Sequence, residues 1–185
     1  MRAPFFAELG AAIVAVALAL SLSSAFARDP SSSERAELNA RVDSFNAAMR
    51  GDNHDALFEA MPPKIAAAIA KRFGVDEATL KAQMSAALKA SAEKAKIESF
   101  GMAIDEARFE SLPDGMLYAR IPSQSVIAAN GARYEANNET LAVLDGERWY
   151  LMRVDEPAQV ELLRSVYPGF AEVEFTPGTI EELAQ

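Results

Sequence analysis

The 185-residue chain offers one imidazole, His54, and no thiol. A Ser-His-Asp relay needs a histidine held between nucleophile and carboxylate. His54 instead stands in the polar run Gly51-Asp52-Asn53-His54-Asp55, where a solvated side chain at a helix start is the simpler reading. Thiolate metal sites are excluded by composition. No nucleophile-elbow, zincin, EF-hand, Walker or dinucleotide-binding spacing occurs. Carboxylate pairs for hydrolysis need no fixed spacing, and with 27 acidic residues no pair stands out. Nothing in the sequence calls for a metal or cofactor. The side chains best suited to a shared site are Ser123, Tyr134, Asn138, Trp149 and Arg153. Together they would supply an apolar wall, hydroxyl and amide groups, and a guanidinium for a carboxylate or phosphate, the usual division of labour in a small-molecule pocket.

Strand register is what would bring these five together. Asn130-Gly131 and Asp145-Gly146 are strong hairpin signals, because paired positive φ angles suit such dipeptides. Two-residue loops at both places set Ile127 opposite Tyr134, Ser123 opposite Asn138, Ile121 opposite Thr140, Ala142 opposite Trp149 and Asn138 opposite Arg153. One sheet face then carries Leu117, Ala119, Ile121, Ala142, Leu144, Trp149 and Leu151 as core, with Ser123, Asn138 and Arg153 beside them. A competing reading pairs Arg153 locally with Asp155 or Glu156. The opposite face carries Leu141, Val143, Tyr150 and Met152, an apolar cluster that needs cover from the last helix or a second copy, hence an expected homodimer.

The elements ahead of the sheet read as helices. Ser31 with Glu34 forms a capping box, followed by Leu38, Val42, Phe45 and Met49 on one face and by Gly51. Asp52 is expected to cap a short second helix, Pro63 to open a third carrying Ile65, Ile69 and Phe73, and Asp76 to cap a fourth with Leu80, Met84, Leu88 and Ser91 on its buried side. Beyond about Lys94 the apolar period changes from 3.6 to 2. Pro157 opens a last helix through Val160, Leu163 and Val166. The fold class is therefore α+β: N-terminal amphipathic helices packed on a curved antiparallel sheet of about four strands, with a C-terminal helix.

Residues 1–27 have the layout of a secretory leader: Arg2, an apolar stretch from Leu9 to Leu22, and small residues ending in Ala25-Phe26-Ala27. The expected domains are a leader at 1–27, one domain at 28–167 and an acidic tail at 168–185. Without cysteine the mature chain cannot use disulfides, which points to a bacterial envelope, periplasmic or secreted, with no stable membrane insertion after cleavage. The net charge of −9 is concentrated beyond Glu135 and argues against nucleic acid.

The order Phe45…Gly51-Asp52…Leu57-Phe58, further helices, and a meander ending in Leu144-Asp145-Gly146-Glu147-Arg148-Trp149-Tyr150 resembles the nuclear transport factor 2-like (cystatin-like) superfamily from about Glu34 to Val154. The resemblance implies a cone whose helices and concave sheet enclose a pocket, often dimeric through the sheet. Isomerases and cyclases of that superfamily place a carboxylate and a Tyr or Asp donor there. Here the expected core face offers Tyr134 and no acid. Two functions follow as expectations: an exported, non-catalytic binding or interaction protein whose pocket takes a small amphipathic or anionic ligand, or an isomerase or cyclase using acid–base chemistry in that pocket.

Overall fold

A computed structural model of the chain describes residues 28–51 and 53–184. The expected leader, Asp52 and the His54 side chain lie outside the described residues. Four helices come first: α1 (Ser32–Arg50), α2 (His54–Ala60), α3 (Pro63–Phe73) and α4 (Glu77–Ala92). Strands β1 (Ala95–Met102), β2 (Arg108–Ser111), β3 (Leu117–Ala129), β4 (Ala132–Asp145) and β5 (Arg148–Arg153) follow, then α5 (Pro157–Val166) and β6 (Thr179–Leu183). The sheet is antiparallel and curls strongly into a half-barrel. Among the described residues no helix is long and apolar enough to cross a membrane.

The long β3–β4 hairpin is the spine. One edge of β3 takes β2 along Leu117–Arg120 and β1 along Ser123–Ala129. Pro122, with no N–H to donate, sits where that edge changes partner. One edge of β4 takes β6 along Arg133–Asn137 and β5 along Thr140–Asp145. Asn130 (φ 53°) and Gly131 (φ 79°) form the two-residue turn, giving the expected pairs Ile127–Tyr134, Ser123–Asn138 and Ile121–Thr140.

The second hairpin differs from expectation by two residues. Its loop is Gly146-Glu147, and Asp145 stays in the strand, paired with Arg148. Of these residues only Gly146 has a positive φ, 70°. That is the demand of a type II′ turn, which needs the left-handed conformation at its first position alone. Trp149 therefore faces Leu144 rather than Ala142, and Arg153 faces Thr140 rather than Asn138. A shift of two preserves which side chains share a face, so the core assignment survives.

The concave face packs on α1, where Leu38 and Val42 meet Leu117, Ala119, Ile121, Ala142 and Leu151. Trp149 is fully buried there, its main-chain N–H donating to Glu37 Oε2 at 2.9 Å and its indole N–H to the Glu34 carbonyl at 2.8 Å. The convex face is covered by α5, by the turn after it and by Ile65 of α3: Leu163, Tyr167 and Phe170 close over Tyr118, Leu141 and Val143. Of the two covers open for the Leu141–Met152 cluster, the last helix provides one. The acidic stretch from residue 168 is built into the fold, with Phe170 fully buried and Thr179–Leu183 adding the sixth strand. Gly178 leads into that strand against β4; a Cβ there would overlap the Asn138 side-chain amide and sit 3.1 Å from the Asn137 carbonyl. Two local expectations are corrected. Asn53 caps α2, its Oδ1 accepting from the Ala56 N–H at 3.2 Å. Phe73, at the end of α3, is 69% exposed, because only the first turns of α3 reach the sheet side.

The α1 cap has a pH signature. Glu34 accepts from the Arg28 guanidinium and from the Ser31 main-chain N–H, and these interactions, the Arg28 bond first, lower its pKa from 4.5 to about 2. A depressed folded-state pKa contributes stability above the unfolded value and loses it as the pH falls through the folded one. Thermal unfolding followed by Trp149 fluorescence is expected to show a midpoint falling between pH 4.5 and 2, with a shallower fall in Glu34→Gln.

Candidate functional site

The five residues singled out from the sequence occupy three places. Trp149 is sealed beneath the first turns of α1 and lines none of the cavities among the described residues. Ser123 and Thr140 satisfy each other, the Thr140 hydroxyl donating to Ser123 Oγ at 3.2 Å and Ser123 donating to the Asn138 carbonyl at 3.2 Å. Arg153 is exposed and paired with Asp155, the local partner that the competing reading named. With its amide turned to donate, Asn138 reaches the same Asp155 carboxylate at 3.0 Å. Ser123, Asn138 and Arg153 are thus joined in one structural network, each with an internal partner. Tyr134 lies half-buried farther along the concave face, directly opposite Ile127.

Ile127 leads to a different site. Beyond the reach of the α1 core, the end of α1, α2, the second half of α4 and the starts of β1 and β3's last turn of strand enclose a cavity of about 460 Å³. Its walls are Met49, Leu57, Leu88, Ile97 and Ile127, with alanines between them. Arg50 and Lys96 stand among the same lining residues, and both are exposed. The volume falls in the range of small-molecule sites. The other depressions described on the surface are more open to solvent, and one adjoins this cavity at Ala92, Ala95 and Lys96, adding Glu93, Lys94 and Arg133.

The cavity exists because α4 diverges from the core. Its apolar stripe Leu80, Met84, Leu88 loses burial along the helix: Leu80 is buried, Met84 and Leu88 are half-buried, and Ser91 is exposed. Leu80 packs on Ala66 and Ala70 of α3. One helix end is thus fixed by side chains, while the other stands off the sheet. Ile97 of β1 is left 38% exposed at the opening.

No family model, curated protein or solved structure matches this chain.

The chemistry of the site therefore rests on its own atoms. The lining residues described contain no carboxylate and no imidazole. Among the described residues, no group of three His, Cys, Asp or Glu side chains is placed to hold a metal ion. The perturbed tyrosines lie on the other side of the sheet. Burial, then a bond to Glu110, pushes Tyr118 up to about 12, and burial with a bond to Asp145 raises Tyr167 further. Both remain protonated donors at neutral pH, anchoring the convex layer. Sequence reasoning missed Met49, Leu57, Leu88, Arg50 and Lys96. The one available signal was the α4 stripe running into Ser91, a polar end that a packed core would not accept.

Proposed function

We propose that this chain is an exported binding protein of a bacterial envelope, holding a small, largely apolar molecule between its helices and its sheet without transforming it. The observation that carries this reading is the helix–sheet cavity, whose walls are aliphatic side chains, while the polar trio Ser123, Asn138 and Arg153 is taken up by internal partners. General acid–base catalysis needs a titratable group within hydrogen-bond reach of the reacting atom; the described lining has no carboxylate or imidazole, and its one amine, Lys96, is exposed to solvent. Binding needs only the walls. Export is supported by the Arg2 to Ala27 pattern, and the absence of cysteine favours a bacterial envelope over a disulfide-forming secretory route. It is compatible with the fold at the expected cut, where the Arg28 main-chain nitrogen lies 3.1 Å from Ser111 Oγ, so that a new ammonium there would have an acceptor.

Native mass spectrometry of the protein recovered from its own envelope tests both halves of the reading. The expected result is a chain beginning at Arg28 that retains a ligand released on denaturation. A membrane-bound chain retaining Met1 would overturn export. Protein that arrives empty and takes up no member of a panel of apolar and amphipathic compounds would overturn binding.

A further inference from the structure

We infer that the cavity takes a single-chain amphipathic anion of the fatty-acid class, with the chain against Leu57, Leu88 and Ile127 and the carboxylate at the lip between Arg50 and Lys96. This rests on reading the cavity as a ligand site and adds its chemical class. The walls are aliphatic, and no Phe, Tyr or Trp is among the described lining residues, so nothing is set to stack on a flat ring. A flexible chain can follow walls made of Ala, Leu, Ile and Met, gaining hydrophobic transfer energy with each methylene buried. A wholly apolar ligand would leave the lip chemistry unused. Arg50 is the last residue of α1 and Lys96 the second of β1, so two separate elements deliver cations to one opening. Neither makes an ion pair among the described residues, whereas nearby Arg133 is held by Glu98 and Lys81 lies against Asp55 and Glu59. In a chain of net charge −9 this cationic lip runs against the overall balance. A guanidinium and an ammonium around one carboxylate make charge-assisted hydrogen bonds, stronger than those to a neutral hydroxyl.

Displacement of a fluorescent polyene fatty acid by decanoate and by decanol, both below their aggregation concentrations, tests the assignment. Decanoate should displace the probe at least about tenfold more effectively than decanol, a difference of about 1.4 kcal/mol. Arg50→Glu and Lys96→Glu, both at exposed positions, should each weaken decanoate severalfold, leave decanol unchanged and keep the circular dichroism of the parent. Leu88→Trp, which fills the cavity, should weaken both. Equal displacement by the two compounds, with no effect of the charge reversals, would overturn the anionic head group while leaving the cavity reading intact. Failure of the probe, decanoate and decanol alike to bind would instead remove the cavity reading. Binding that survives Leu88→Trp unchanged would place the anion elsewhere and overturn the inference.

Discussion

Trp149→Ala is expected to lower the free energy of unfolding by about 3–5 kcal/mol, the cost of deleting a large ring from a well-packed core. Trp149 is fully buried, meets Phe109 edge-on at 6.2 Å between ring centroids, and ties β5 to α1 through Glu34 and Glu37. The lost volume cannot be refilled cheaply, because Leu38 and Val42 are held on the α1 backbone and Ala142 is too small to expand into it. For a domain of this size the melting midpoint should fall by about 10 °C or more, measured by differential scanning calorimetry. Trp149→Phe keeps most of the ring and loses the indole donor, so its cost should be smaller. The change has a functional consequence, since the last turn of α1 supplies Met49, Arg50 and Gly51 to the cavity. Loosening α1 should therefore weaken ligand binding along with stability.

Phe170→Ala should be about as destabilising, by roughly 3–5 kcal/mol, but without that consequence. Phe170 is fully buried on the convex side, edge-on to Tyr118 at 5.1 Å and to Tyr167 at 6.4 Å, and tilted against Phe175 at 6.1 Å. It fixes the turn after α5 over Leu141 and Val143. Its loss should expose that layer, read as faster hydrogen exchange in α5 and β5. The folded fraction should still bind ligand, because none of the cavity walls belongs to the convex layer. Chemical denaturation with and without ligand separates the two variants: ligand should raise the midpoint of Phe170→Ala and do little for Trp149→Ala.

The contrast between these residues shows what the sequence could reveal. Asn130-Gly131 set the β3–β4 register correctly, because a loop of two positive-φ residues leaves one pairing. Asp145-Gly146 misled by two positions, because one left-handed residue suffices for the alternative turn and Asp145 could remain paired. Parity nevertheless kept Trp149, Leu151 and Ala142 on the core face. The sixth strand was invisible: Thr179–Leu183 is short, rich in Glu, and pairs Glu181 with Glu135 across the strands. Such an element is stabilised by the β4 edge rather than by its own pattern, and its Ile180 stays 71% exposed.

The site was harder to read for a related reason. Ser123, Asn138 and Arg153 were brought forward because neighbouring strands align polar residues in a countable way. Counting cannot show that Asp155 and Thr140 satisfy them. The cavity walls come from α1, α2, α4, β1 and β3, which no spacing rule relates. Burial along α4 falls from Leu80, packed on α3, to the exposed Ser91, and such a gradient is set by tertiary packing rather than by a local signal.

The central claim, that the helix–sheet cavity is where this protein holds its ligand, is tested most directly by methyl-resolved NMR during titration with decanoate. The expected result is saturable shifts at the methyl groups of Met49, Leu57, Leu88, Ile97 and Ile127, with those of Leu38 and Leu163 unmoved. Shifts centred instead on Leu151 and Val154, beside Trp149 and Arg153, or no saturable shifts at all, would contradict it.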